Sequence, residues 1–220
     1  MTLALVAILS GLLAGLLHVY AGPDHLSAIA PLAAEERRNG WRVGLLWGLG
    51  HSGGVWTLTL LVLLLGELLP VQLLSSWSER LVGLVLIAIG AWGLHRALRF
   101  PLMGAQDHGH RHDAAPHSGG AAAIGLLHGL AGTSHLVSAL PVLAVSQLTP
   151  SLAPKIGYAF GFGLGSIIAM SVFGWVIGLL AHRTASSGMI VFRRLLSTCS
   201  VAAILVGCWW LVDGIRTATA

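Results

Sequence analysis

The chain is expected to be an all-α integral membrane protein: six transmembrane helices in two inverted three-helix repeats, with the first helix of each repeat broken or kinked. Three observations predict it. The composition is 55% hydrophobic and 9% charged, and the mean hydropathy of +0.83 lies well outside the range of ordinary soluble domains. Apolar stretches long enough to cross a bilayer as helices recur along the whole chain. Finally, GLLHVYAGPDHL, starting at Gly15, returns 110 positions later as GLLHGLAGTSHL at Gly125, with eight of twelve residues identical and both histidines kept. The two copies open the first and fourth apolar stretches, so each repeat holds three spans. Three is odd, so the second copy must enter the membrane in the opposite direction, an architecture found in many secondary transporters with a site near the midplane.

The first span, residues 2–34, opens with MTLALVAILSGLLAGLL and has no basic n-region, so it reads as a transmembrane segment and not as a cleaved signal peptide. A straight helix of 33 residues would be about 50 Å long, against an apolar core of about 30 Å, so it must tilt or break. Gly22-Pro23 marks the break, because proline removes a backbone donor and clashes with the preceding turn; Pro31 and, in the second copy, Pro141 mark a further matched kink. The second span, 43–69, carries GLGHSGG around His51, and the third covers 81–99. Residues 101–119 form a His-rich polar loop that separates a first repeat, 1–100, from a second, 120–220. Spans four to six run over 120–146, 156–182 and 190–213. Between spans lie EERRNGWR, PVQLLSSWSER, SQLTPSLAPK and HRTASSG, which carry the breakers and charges of joins. WGLGHS (Trp47 to Ser52) resembles FGLGS (Phe162 to Ser166), with Ser166 in the place of His51, and GAWGL (Gly90 to Leu94) resembles GCWWL (Gly207 to Leu211). Cys199 and Cys208 are nine positions apart on one apolar run, roughly 13 Å along a helix and too far for a bridge.

With the N-terminus outside, Arg37, Arg38, Arg42, Arg96, Arg99, Arg111, Arg183, Arg193 and Arg194 fall on the cytoplasmic side, and only Arg80, Lys155 and Arg216 outside. The positive-inside rule therefore puts both termini outside a cytoplasmic (inner) membrane and the His-rich loop inside. Basic residues confined to short loops beside apolar runs are topology signals, and exclude a nucleic-acid surface. Trp41 and Trp77 read as interfacial anchors, and Glu67 and Asp213 as snorkelling residues near the outer ends of spans two and six.

His18, His25, His51, His128 and His135 lie inside apolar runs, and Asp24 is the one acidic residue read as deep in a span. Polar side chains in hydrocarbon are costly and face a cavity or a partner, which makes them functional candidates. On an unbroken helix His18 and His25 would share a face but stand about 10 Å apart along the axis; a break at Gly22 would bring their rings together. Imidazoles with one carboxylate suit a borderline divalent metal such as nickel, cobalt, zinc, copper or iron, whereas calcium or magnesium would demand more oxygens. In the second copy Thr133-Ser134 replaces Pro23-Asp24, so the first half is expected to hold the primary site and the second a gate or relay. His108, His110, His112 and His117 in DHGHRHDAAPH form a compositional metal-binding signal, more fitting for a buffer or sensor than for a transport site.

HVYAGPDH, GLGHSGG and the odd-membered duplication resemble the nickel/cobalt transporter superfamily, NicO and its NiCoT relatives, across the six-span core. The resemblance implies that His18, Asp24 and His25 are the signature metal site, with His51 as the helix-two histidine, and a His-rich cytoplasmic loop is common among its exporters. Five residues separate His18 from Asp24 where many members have four, and one acidic residue stands where they often have two, a spacing similar to that of the HupE/UreJ permeases.

These readings converge on a secondary transporter of Ni²⁺ or Co²⁺, with the ion as substrate and no cofactor, favouring efflux. Its partners are the lipid bilayer and, at the inner face, a metal chaperone. No P-loop motif is present, so an ion or proton gradient would supply the energy. Two rivals stay open. One is a proton-coupled transporter of a small anion, received by a half-helix N-terminus after Gly22-Pro23. The other is an intramembrane zinc hydrolase with Asp24 activating water, against which HExxH is absent.

Overall fold

The computed structural model describes residues 2–65, 71–99, 118–131 and 151–219, and among them every regular element is helical. The first span is two helices, α1 (Thr2–Ala21) and α2 (Pro23–Glu36). The last backbone bond of α1 runs from Gly22 N–H to the His18 carbonyl at 3.0 Å. Gly22 then turns extended (φ −91°, ψ 101°), and Pro23 takes the first position of α2, where a missing N–H costs nothing. The break therefore falls where Gly22-Pro23 predicts it. Pro31, by contrast, lies inside α2, which runs on to Glu36.

A single 3-10 turn, Arg37–Asn39, leads into α3 (Gly40–Leu65). Arg37 there holds a left-handed φ of 49°. Helix α4 (Val71–Arg99), α5 (Ser118–Ala131), α6 (Leu152–Ser187) and α7 (Met189–Thr219) follow. Among the described residues four stretches are long and apolar enough to cross a bilayer: Leu3–Ala21, Glu79–Arg99, Leu152–Ser187 and Met189–Asp213, while Gly120–Ala131 is a shorter apolar helix. Span four was expected over 120–146; residues 132–150, with His135 and Pro141, lie outside the described residues, as do 101–117 with the loop histidines.

The joins differ from expectation. PVQLLSSWSER is helical from Val71, Leu152 already starts α6 ahead of Pro154, and HRTASS continues α6 to Ser187. Charge and serine mark where a helix leaves the bilayer, but do not stop it; what stops α6 is Gly188, whose φ of 147° only glycine adopts freely.

Glycine seams set the packing. Gly11 of α1 lies on Tyr158 of α6 and Gly15 on Phe162, so close that a Cβ would collide with the facing carbonyls; numbers rise together, and the helices run parallel. Gly125 and Gly129 of α5 sit in the same manner on Trp47 and His51 of α3, again parallel. Helices α3 and α6 are antiparallel: Gly44 faces Met170, the Ser52 hydroxyl donates to the Gly163 carbonyl (3.0 Å), and the Trp56 indole donates to the Ala159 carbonyl (2.8 Å). Helix α5 therefore runs opposite to α1. Helices α4 and α7 are antiparallel too, through Gly83 on Gly207 and Gly90 on Ser200. Small residues allow this approach where no water is present to drive apolar faces together.

The face of α1 away from the seam carries Val6, Leu9, Leu13, Leu17 and Tyr20, all at least half exposed. Such a stripe is a liability in water and an ordinary lipid-facing surface in a bilayer. Short α2 is covered on all sides, by α3, α4, α6 and α7, with Ala28, Ile29, Ala33 and Ala34 wholly buried.

Candidate metal centre

The break at Gly22 creates the site. It ends α1 one turn after His18 and starts α2 so that Asp24 and His25 occupy its first turn. The His18 and His25 rings then meet with centroids 4.7 Å apart and planes at 80°, whereas a straight helix would hold them about 10 Å apart. His51, from the middle of α3, closes the group: its ring lies 4.9 Å from that of His25 and 5.9 Å from that of His18. His128 of α5 approaches from the other side, 4.7 Å from His25 and 5.8 Å from His51.

Asp24 sits at the junction. His25 Nδ1 donates to its Oδ1 at 2.9 Å, and His128 Nε2 donates to its Oδ2 at 3.0 Å. Both carboxylate oxygens are therefore engaged by imidazoles from two helices, and the N-terminal end of α2 adds the favourable field of its dipole. His25, His51 and His128 are buried, Asp24 is 5% exposed, and His18 is partly buried.

Among the described residues two overlapping sets of potential ligand atoms result, His18/His25/His51 and Asp24/His25/His128; within each, the atoms lie within 4.8 Å of one another. Metal–imidazole bonds of about 2.0–2.1 Å place ligand nitrogens roughly 3–4 Å apart, a spacing of the same order as these separations. Imidazoles with one carboxylate are donors for a borderline divalent cation, and too poor in oxygen for calcium or magnesium.

Of the residues singled out by sequence, His18, Asp24, His25, His51 and His128 are thus brought together. His135, His108, His110, His112 and His117 lie outside the described residues. His128, expected with His135 to complete or gate the path, is a direct neighbour of the primary group, because α5 packs along α3 through Gly125 and Gly129.

The structure adds residues that sequence reasoning did not assign. Trp47, fully buried, lies 6.0 Å from the His128 ring, and Phe162 lies 5.2 Å from that of His18. Both were visible only as matched landmarks of WGLGHS and FGLGS. Glu35, read from the sequence as part of a join, lies in the last turn of α2; it binds Arg96 of α4 at 2.6 Å and anchors the far end of α2.

No family model and no solved structure matches the chain. Among curated proteins it is similar to Chloroplast protein FOR GROWTH AND FERTILITY 2 of Arabidopsis thaliana, 33% identical over 205 residues, covering 90% of this chain and 54% of that protein. FOR GROWTH AND FERTILITY 1 of the same plant is 32% identical over 211 residues, again 90% of this chain and 56% of the relative. The chain thus spans about half the length of these two relatives. Urease accessory protein UreH of Bacillus sp. (strain TB-90) is 26% identical over 186 residues, 77% of this chain and 75% of that protein. The chain is a multi-pass membrane protein, helical throughout its regular elements among the described residues, and similar over most of its length to two chloroplast proteins and a urease accessory protein.

Proposed function

We propose that this chain is a secondary transporter carrying a divalent transition-metal ion, Ni²⁺ or Co²⁺, across a cytoplasmic membrane, and that it is not an enzyme. One observation carries the reading: His18, Asp24, His25, His51 and His128, from four helices, converge inside an apolar bundle. Placing that many polar groups in a membrane interior is costly, and binding a cation that must cross offsets the cost. An accessory role toward an enzyme, which the name of UreH states for that protein, is one a metal supplier would fill.

Alternating access would come from two inverted repeats. Helix α1 packs on α6 as α5 packs on α3, each pair parallel; α3 meets α6 and α4 meets α7, each pair antiparallel. This is the pattern that exchanging the repeats would leave unchanged, and it supports rocking of one half against the other around the site. Both termini outside and the loop 107–117 inside follow the arginine distribution, and an inner loop of histidines favours efflux. An anion as substrate is less well served, because the carboxylate of Asp24 already stands in the first turn of α2.

The test is isotope flux in liposomes. Purified protein should move Ni²⁺ or Co²⁺, and His25→Ala should abolish it; absence of flux from the wild type, or equal flux from the variant, overturns the reading.

A further inference from the structure

We infer that Asp24 is a positioning residue and not a ligand: it fixes the histidines, and the transported ion is held by His18, His25 and His51 through nitrogen alone. The inference rests on the transport reading above and names the donor set of that site. Three observations support it. Each oxygen of Asp24 already accepts a hydrogen bond from an imidazole, Oδ1 from His25 Nδ1 and Oδ2 from His128 Nε2. With Nδ1 committed to Asp24, His25 keeps Nε2 as its ligand atom, the same arrangement by which a carboxylate orients a metal-bound imidazole elsewhere. And His18, His25 and His51 form a ligand set that needs no atom of Asp24.

Asp24 also bonds α2 directly to α5, so its second task is to hold His128 against the site from the other half of the molecule. A three-imidazole set is neutral and contains no hard oxygen. It selects Ni²⁺, Co²⁺, Zn²⁺ or Cu²⁺ over Mn²⁺, Mg²⁺ and Ca²⁺, and leaves further coordination positions of the ion to water. Gly22 completes the arrangement: a Cβ there would come within 2.8 Å of Asp24 Oδ1 and 2.5 Å of His25 Nδ1, so only glycine leaves the pair its room.

The experiment compares wild type with Asp24→Asn in detergent or nanodiscs, using Co²⁺ as the probe. Asparagine keeps the shape, accepts from His25 Nδ1–H and still offers His128 a partner. The visible Co²⁺ spectrum and the imidazole scattering seen by X-ray absorption should superimpose on those of the wild type, with affinity about 10–100-fold weaker, the usual cost of losing a carboxylate behind a metal-bound histidine. Loss of an oxygen scatterer, or a changed spectrum, in the variant makes Asp24 a ligand and overturns the inference while leaving transport intact. Absence of any Co²⁺ spectrum from the wild type overturns the transport reading itself, and this inference with it. If Asp24→Asn does not fold, ¹⁵N shifts of metal-free wild-type protein decide: His25 protonated at Nδ1 supports the inference, and His25 protonated at Nε2 overturns it.

Discussion

At Gly22 three demands meet in one residue. The backbone must leave the helix, the next residue must be a proline starting α2, and the space beside Cα must stay open for Asp24 and His25. Its φ of −91° is open to any residue, so the need for glycine is steric and local to the site. Gly22→Ala should therefore keep its helix content by circular dichroism and lose about tenfold or more in Co²⁺ affinity, because displaced imidazole support costs that much. Wild-type affinity in this variant would show that the pair has slack. His18, Asp24, His25 and His51 were legible in the sequence because polar side chains stand out within apolar runs. Trp47 and Phe162 were not, because an aromatic residue in a membrane helix has the same composition signal whether it lines a site or faces lipid. Trp56, 38% exposed, and Trp175, 53% exposed, look no different from Trp47 on paper.

Among the elements, α1 shows how a helix is sorted in a bilayer. Its lipid face is apolar and its buried face is small, the reverse of a soluble amphipathic helix, where the large apolar residues turn inward. Gly15 and Leu13 should accordingly respond in opposite senses to ordinary intuition. Gly15→Leu forces side-chain volume against the Phe162 carbonyl and should destabilise by about 1–3 kcal/mol, whereas Leu13→Ala on the exposed face should cost about 0.5 kcal/mol or less. Thermal unfolding in nanodiscs reads both. Gly125→Leu, pressed against the Trp47 carbonyl, should match Gly15→Leu; a harmless Gly125→Leu would weaken the case for equivalent halves. The broken first span was legible because Gly-Pro acts locally. Helix ends at the joins were less so: hydropathy reports where the chain meets water, while a helix continues until a residue such as Gly188 turns it.

For the whole molecule, packing gathers most of the basic residues at one end of the helices. Arg38 meets His182 at 3.0 Å, Arg96 meets Glu35 at 2.6 Å, Arg193 meets the Ala97 carbonyl at 2.9 Å, and Arg37 lies over Phe192. These arginines are drawn from α3's leading turn, α4 and α7, yet all gather at one end of the bundle. Exposed Trp77, with Arg80 5.3 Å from its ring, lies 19 residues before Arg96 on α4, about 28 Å away along the axis and close to a full apolar core. Lys155 begins α6, whose other end carries His182. The nine-to-three division of basic residues in the sequence therefore corresponds, for every one of these groups, to the two ends of the helices. If the arginine-rich end is cytoplasmic, single cysteines in a Cys199→Ser, Cys208→Ser background should label from opposite faces. In right-side-out vesicles an impermeant maleimide should modify Trp77→Cys at once, and Arg38→Cys only after the vesicles are opened. The reverse order would put the arginine-rich end outside and remove the argument for efflux. Labelling of both from one side would mean that α3, the helix between them, does not span, and the two-repeat arrangement would fall with it.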